Sequence, residues 1–144
     1  MTVLSLLGKD LKSDEVIEFL ETYDVDVIYS FDRLHENSPD VYWASVKEAG
    51  LEFRFNEDQK LDTAFCYLVS RDGLSPAQPE VIGVLLFDSF ALAEKACQRD
   101  GLRYQSSTIP GSWLKILGDS HDAHYEFTDG RLSMVALMLP WDEA

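Results

Sequence analysis

Positive charge is scarce in this chain. Twelve lysines and arginines stand against 26 aspartates and glutamates, a formal net charge of −14 over 144 residues. Such a surface repels phosphate backbones, which argues against DNA or RNA as a partner, and it disfavours adsorption to anionic lipid. It attracts a basic partner and speeds the encounter, although acidity that serves only solubility would look the same. Cysteine is scarcer still. Cys66 and Cys97 both lie in apolar patterns without a spaced framework, so they are expected as reduced, buried small hydrophobes. No apolar run approaches a membrane span. Met1–Lys9 is too short, and lacks the basic start, for a signal peptide, so a cytoplasmic location is expected. No glycine loop of the phosphate-cradling kind and no Gly-x-Ser-x-Gly turn occurs.

What the chain does have is apolar side chains: 46% are hydrophobic and 12% aromatic, enough for a core in one compact domain or two small fused halves. The organising stretch runs from Leu51 to Val69. Leu51, Phe53 and Phe55 alternate with Glu52 and Arg54, the period of a half-buried strand. A polar insert, residues 56–60, is the hairpin connection, and residues 61–69 return. A second hairpin follows the same plan near the end, with His124–Phe127, a turn at Thr128-Asp129-Gly130, and a return from Arg131 to Leu139.

Other elements follow from local signals. Ser13 is an N-cap with Asp14 and Glu15 in the first turn. Val16, Ile17, Leu20 and Tyr23 form one helical face, and Asp14, Glu18 and Glu21 form the opposite one. Residues 24–31 and 41–47 alternate as strands, with a polar loop between them. Residues 70–80, with Gly73, Pro76 and Pro79, break regular structure, and residues 71–80 are expected as a linker. Val81–Phe87 reads as a buried strand. Asp88 or Ser89 caps a second helix, with Phe90, Ala93, Ala96 and Cys97 inward and Gly101 as its stop. A weakly alternating stretch, a strand at Trp113–Leu117 and the final hairpin complete the chain.

Each half thus reads as one helix followed by four strands. Trp43 corresponds to Trp113, Phe55 to Phe127 and Leu61 to Leu132, at a period of about 70 residues, too long for a solenoid unit. The expected fold class is α+β: two tandem helix-plus-four-strand modules, 1–70 and 81–144, mainly antiparallel sheet with helices packed against it, either fused or merged into one compact domain. The return strands are apolar on both faces. Such strands require cover on both sides, from helix on one and from loops or a partner chain on the other.

Candidate chemistry is thin. His121, Asp122, His124 and Glu126 form the one concentration of metal-capable side chains. On a strand, however, His121 points away from the other three, and a zinc site needs three or four convergent ligands. His121, His124 and Glu126 are therefore the weak metal candidates, set against exposed strand polarity. Neither cysteine lies in an electropositive setting that would activate it as a nucleophile. No cofactor is implied. Tyr42, Trp43, Trp113 and Trp141 are candidate surface anchors, since Trp and Tyr dominate interface hot spots. Core packing is the competing reading for Trp43 and Trp113.

Leu6-Leu7-Gly8-Lys9 before an acidic helix, then Gly50–Phe55 and Leu61–Leu68, resemble small bacterial immunity proteins that neutralise polymorphic or secreted toxins. The likeness covers roughly the first seventy residues and rests on apolar patterning. The tandem layout is also similar to that of β-lactamase-inhibitory proteins. Those are secreted and disulfide-bonded, so only architecture carries over. The resemblance implies a non-catalytic inhibitor that occludes a basic toxin or effector enzyme, with neither nucleic acid nor membrane as partner. The expected contact residues are Asp14, Glu18 and Glu21 on the first helix, and Asp32, Glu36 and Asp40 on the following loop beside Tyr42. Two other readings stand beside it. One is a housekeeping scaffold or self-associating subunit, a homodimer through the doubly apolar strands. The other is a small metal-dependent hydrolase using His121, His124 and Glu126.

Overall fold

The computed structural model describes residues 1–23, 25–30, 40–107, 109 and 112–140, with backbone alone for 26–30. Its elements in chain order are α1 (Val3–Leu6), α2 (Asp14–Glu21), β1 (Asp26–Ser30), β2 (Val41–Val46), β3 (Leu51–Phe55), β4 (Leu61–Tyr67), α3 (Pro79–Ile82), α4 (Phe90–Asp100), β5 (Tyr104–Ser106), β6 (Trp113–Ile116), β7 (Asp122–Thr128) and β8 (Arg131–Met138). The class is α+β. Among the described residues, eight strands join one antiparallel open sheet in the order β1-β2-β3-β4-β8-β7-β6-β5.

The local causes are mostly those expected. The Ser13 hydroxyl accepts from the Val16 N–H and starts α2. Ser89 does the same for α4 through the Leu92 N–H, and Gly101, left-handed at φ 66°, ends it. Leu102, directly after that cap, is 42% exposed. The β7–β8 turn has Asp129 and Gly130 both at positive φ, 53° and 79°, the backbone twist that a two-residue hairpin requires. In the β3–β4 turn, the Asn56 side chain accepts from the Asp58 and Lys60 N–H groups.

One face of the sheet carries the main core. Ala44 and Val46 of β2, Phe53 of β3, Ala64 and Cys66 of β4, Val135 and Leu137 of β8, and Tyr125 of β7 all point to it. Every helix closes on that side: Val3 and Leu6 from α1, Val16 and Phe19 from α2, Ile82 from α3, Ala93 and Cys97 from α4. Phe19, outside the expected helical face, is the side chain that locks α2 down, its ring 5.7 Å from Phe53. Ile17, expected inward, is 40% exposed.

Val81–Phe87 is not a strand. Pro79 opens the short α3, Ile82 is fully buried, and Leu85 is 76% exposed. The segment expected as a linker packs closely. The Ala77 N–H donates to the Tyr67 carbonyl, the Ser75 N–H donates to the Lys47 carbonyl, and Leu74 and Ala77 are buried. This return presses on Gly50, whose φ is 69°; a Cβ there would collide with the Ser75 carbonyl.

Candidate functional site

The second face of the sheet is where the molecule presents unclaimed side chains. Among the described residues no helix packs on it. A small apolar cluster lies there instead, of Tyr67, Leu74, Met134 and Ala136, with Phe65 and Met138 half-buried beside it. Strand register sets these side chains in rows. One row runs Glu52, Phe65, Ala136, His124, Lys115 across β3, β4, β8, β7 and β6. A flanking row holds Trp43, Arg54, Thr63, Met138 and Asp122. The other holds Tyr67, Met134, Glu126 and Trp113.

Trp43 and Trp113 both belong to this face rather than to the core. Trp43 stacks on Phe65 at 6.2 Å between centroids and 23° between planes. Trp113 stacks on the His124 ring at 5.4 Å and 29°. Between Phe65 and His124 in that row stands Ala136, 1% exposed and part of the buried cluster. The turn at Arg71–Leu74 covers one corner, with the Arg71 guanidinium 5.2 Å from the centre of the Tyr67 ring.

The charges on this face are unevenly settled. Arg54 is held by Asp62 at 2.6 Å, and Lys115 lies 3.8 Å from the buried Asp122. Asp122 also accepts from the Gly118 N–H at 3.1 Å. The Glu52 carboxylate accepts from two hydroxyls, Tyr67 at 2.8 Å and Ser45 at 3.1 Å. Burial, and then the hydrogen bond to Glu52, push the Tyr67 hydroxyl up to about 12. Glu126 lies 3.3 Å from the His124 ring, and its charge also raises the Tyr67 hydroxyl.

The residues singled out from the sequence divide between the two sides. Asp14, Glu18 and Glu21 share the exposed face of α2, on the helix-covered side, and no ion pair joins them among the described residues. Tyr42 alternates with Ala44 and Val46, so it packs on the main core; the Gln59 side chain donates to its hydroxyl at 3.5 Å. Asp40 is half-buried just ahead of β2. Asp32, Glu36 and Trp141 lie outside the described residues.

Of the metal candidates, His121 lines an apolar groove on the helix-covered side with Ala123 and Tyr125, whereas His124 and Glu126 are on the opposite face. Among the described residues no group of three or more His, Cys, Asp or Glu side chains could hold a metal ion. Burial pushes the Cys66 thiol up to about 12, the reverse of what a nucleophile needs.

No family model, no curated protein and no solved structure matches the chain. Among the described residues no helix is long and apolar enough to cross a membrane.

Proposed function

We propose that the chain is a non-catalytic, immunity-type inhibitor that binds a basic toxin or effector enzyme and occludes it. The observation that carries this reading is where the surplus charge stands. Among the described residues, six of the Lys and Arg side chains are engaged in ion pairs, Lys9–Glu15, Lys60–Asp10, Arg54–Asp62, Arg71–Asp72, Arg99–Asp100 and Lys115–Asp122. Asp14, Glu18 and Glu21 on α2 keep their charge unpaired, available to a cationic partner. The patterning shared with immunity proteins over the first seventy residues supports the same class.

In this reading the architecture is a fused duplication. Each half supplies two helices, the first of them a single short turn, and then four strands. Read from either edge to the centre, the sheet runs β1-β2-β3-β4 and β5-β6-β7-β8. Trp43 and Trp113 stand on corresponding strands of the same face. Two such halves, each too small to be stable alone, share one core.

The test is recovery of a basic protein by the full chain from an extract of its source, followed by stopped-flow association. Reversing Asp14, Glu18 and Glu21 to Lys is expected to slow association and flatten its salt dependence while circular dichroism stays unchanged. An association rate and salt dependence equal to those of the parent chain would remove α2 from the interface; recovery of no basic protein would remove the function.

A second reading, a self-associating subunit, is favoured by Met134, Ala136 and Met138, which give β8 an apolar stripe on the face without helices. Sedimentation of the isolated chain separates the two: a stable dimer without any partner supports self-association.

A further inference from the structure

We infer that an apolar groove over β6 and β7, on the same side of the sheet as α2, takes an apolar side chain of the basic partner while the acids of α2 hold its cations. This rests on the function proposed above and extends the contact made by α2.

The groove, already met at His121, has a volume of about 280 Å³. Its other walls include Leu4 of α1, Val84 and Leu85 between α3 and α4, Leu102 after α4, and Ile116 and Ala123 of the sheet. Two leucines at its rim stand in solvent, Leu85 at 76% exposure and Leu102 less so. The backbone holds Leu85 there. The buried Tyr125 hydroxyl donates to the Leu85 carbonyl at 2.8 Å, and the Phe87 ring packs edge-on to Tyr125 at 5.3 Å. On the other side Gly83, left-handed at φ 102°, presses on α1, where a Cβ would come within 2.9 Å of the Leu4 Cβ. A segment fixed at both ends has little backbone freedom left to lose on binding.

Register ties the groove to α2. Phe53, Ala64, Leu137, Ala123 and Ile116 form one row across β3, β4, β8, β7 and β6 on the core face. Phe19 of α2 packs on Phe53 at one end of that row, and Ala123 and Ile116 line the groove at the other. The two ends are four strand spacings apart, roughly 19 Å. A standard interface of about 800 Å² per partner spans that distance. The acidic ridge has an apolar point of its own, since Ile17 is exposed between Asp14, Glu18 and Glu21.

Charge names the occupant. Glu80 and Asp88 bracket the 81–87 segment, and Asp119 follows Gly118 at the groove. All three are exposed, and none is in an ion pair among the described residues. On the same elements Lys9 is paired with Glu15 and Arg99 with Asp100, and Lys12 and Lys95 are outnumbered by the acids. A basic protein with an apolar side chain set among lysines or arginines complements both points. A second copy would bring these same acids against one another, on a chain of net charge −14.

The experiment uses the full chain and the purified basic protein that it recovers. Leu85→Ala and Leu102→Ala, made separately, are each expected to weaken binding on the order of 10-fold, the effect of no longer burying a leucine side chain. The loss should appear as faster dissociation, whereas reversal of α2 acts on the association rate. Because both leucines stand in solvent in the free chain, the variants are expected to unfold at the parental denaturant concentration. Amide hydrogen exchange is expected to slow in the complex at residues 83–87 as well as in α2. Parental affinity in both leucine variants, or unslowed exchange at 83–87, overturns the groove; the proposed function still stands if α2 reversal slows association. Failure of any basic protein to bind overturns both. A dimer of the isolated chain that Leu85→Asp dissolves overturns the choice of occupant.

Discussion

Phe53 and Phe65 lie on neighbouring antiparallel strands and face opposite ways, so their truncation measures which side of the sheet is covered. Phe53 is fully buried and its ring packs 5.7 Å from Phe19. Phe53→Ala removes the whole transfer free energy of the ring. It also leaves a cavity, because α2 is fixed above it by the Ser13 cap and by Val16. Such losses come to about 3–5 kcal/mol. Phe65 is half-buried on the face without helices. Solvent can follow its removal, so no closed cavity forms and the cost is about 1 kcal/mol. Urea unfolding followed by far-ultraviolet circular dichroism reads the difference. With a urea dependence of roughly 1–3 kcal/mol per molar, Phe53→Ala should move the midpoint by about 1–5 M, and Phe65→Ala by well under half of that. Equal losses, or a larger loss at Phe65, would refute the assignment of covered and uncovered faces.

Two further outcomes are expected. Gly50→Ala should destabilise by more than the ~1–3 kcal/mol typical of a left-handed backbone position, because the added Cβ also meets the Ser75 carbonyl; thermal unfolding near that of the parent chain would show that residues 75–77 yield easily. Alkaline stability should fall through Cys66, whose thiol is held protonated up to about 12 in the folded chain. An unfolded thiol ionises near ~8.5, so the contribution is full below that pH and is lost progressively as pH rises toward the folded value. Between about pH 8 and 10.5 the Cys66 share is roughly 2–3 kcal/mol, so Cys66→Ala should show a distinctly shallower decline in denaturant titrations; parallel declines would count against it.

Much of the secondary structure was legible because its signals are short-range. The Ser13 and Ser89 caps, the Gly101 stop and the alternation in Leu51–Phe55 each act within a turn or a strand. Val81–Phe87 was not legible as coil, since a short apolar run reads alike whether it becomes a buried strand or passes beneath a helix. Here Pro79 opening α3 and the packing of Ile82 against the core decided it. The two tryptophans show a different limit. Period two says that Trp43 opposes Ala44 and Val46; which face receives helices is settled only by how α1 to α4 dock. Tyr42, in phase with those core residues, could have been excluded as a free anchor on the same ground. The setting of Ala136 beside Phe65 depends on pairing between β4 and β8, strands about seventy residues apart, so no local pattern announces it.

The place of β8 in the sheet also bears on how the chain is made. During translation β1 to β4 emerge well before their final neighbour, leaving β4 as a bare hydrogen-bonding edge until β8, the last strand in chain order, arrives between it and β7. The nascent protein therefore has to keep a half-finished apolar sheet from pairing with other chains, and a dense coat of like charge on its surface is well suited to that task from the first half onward.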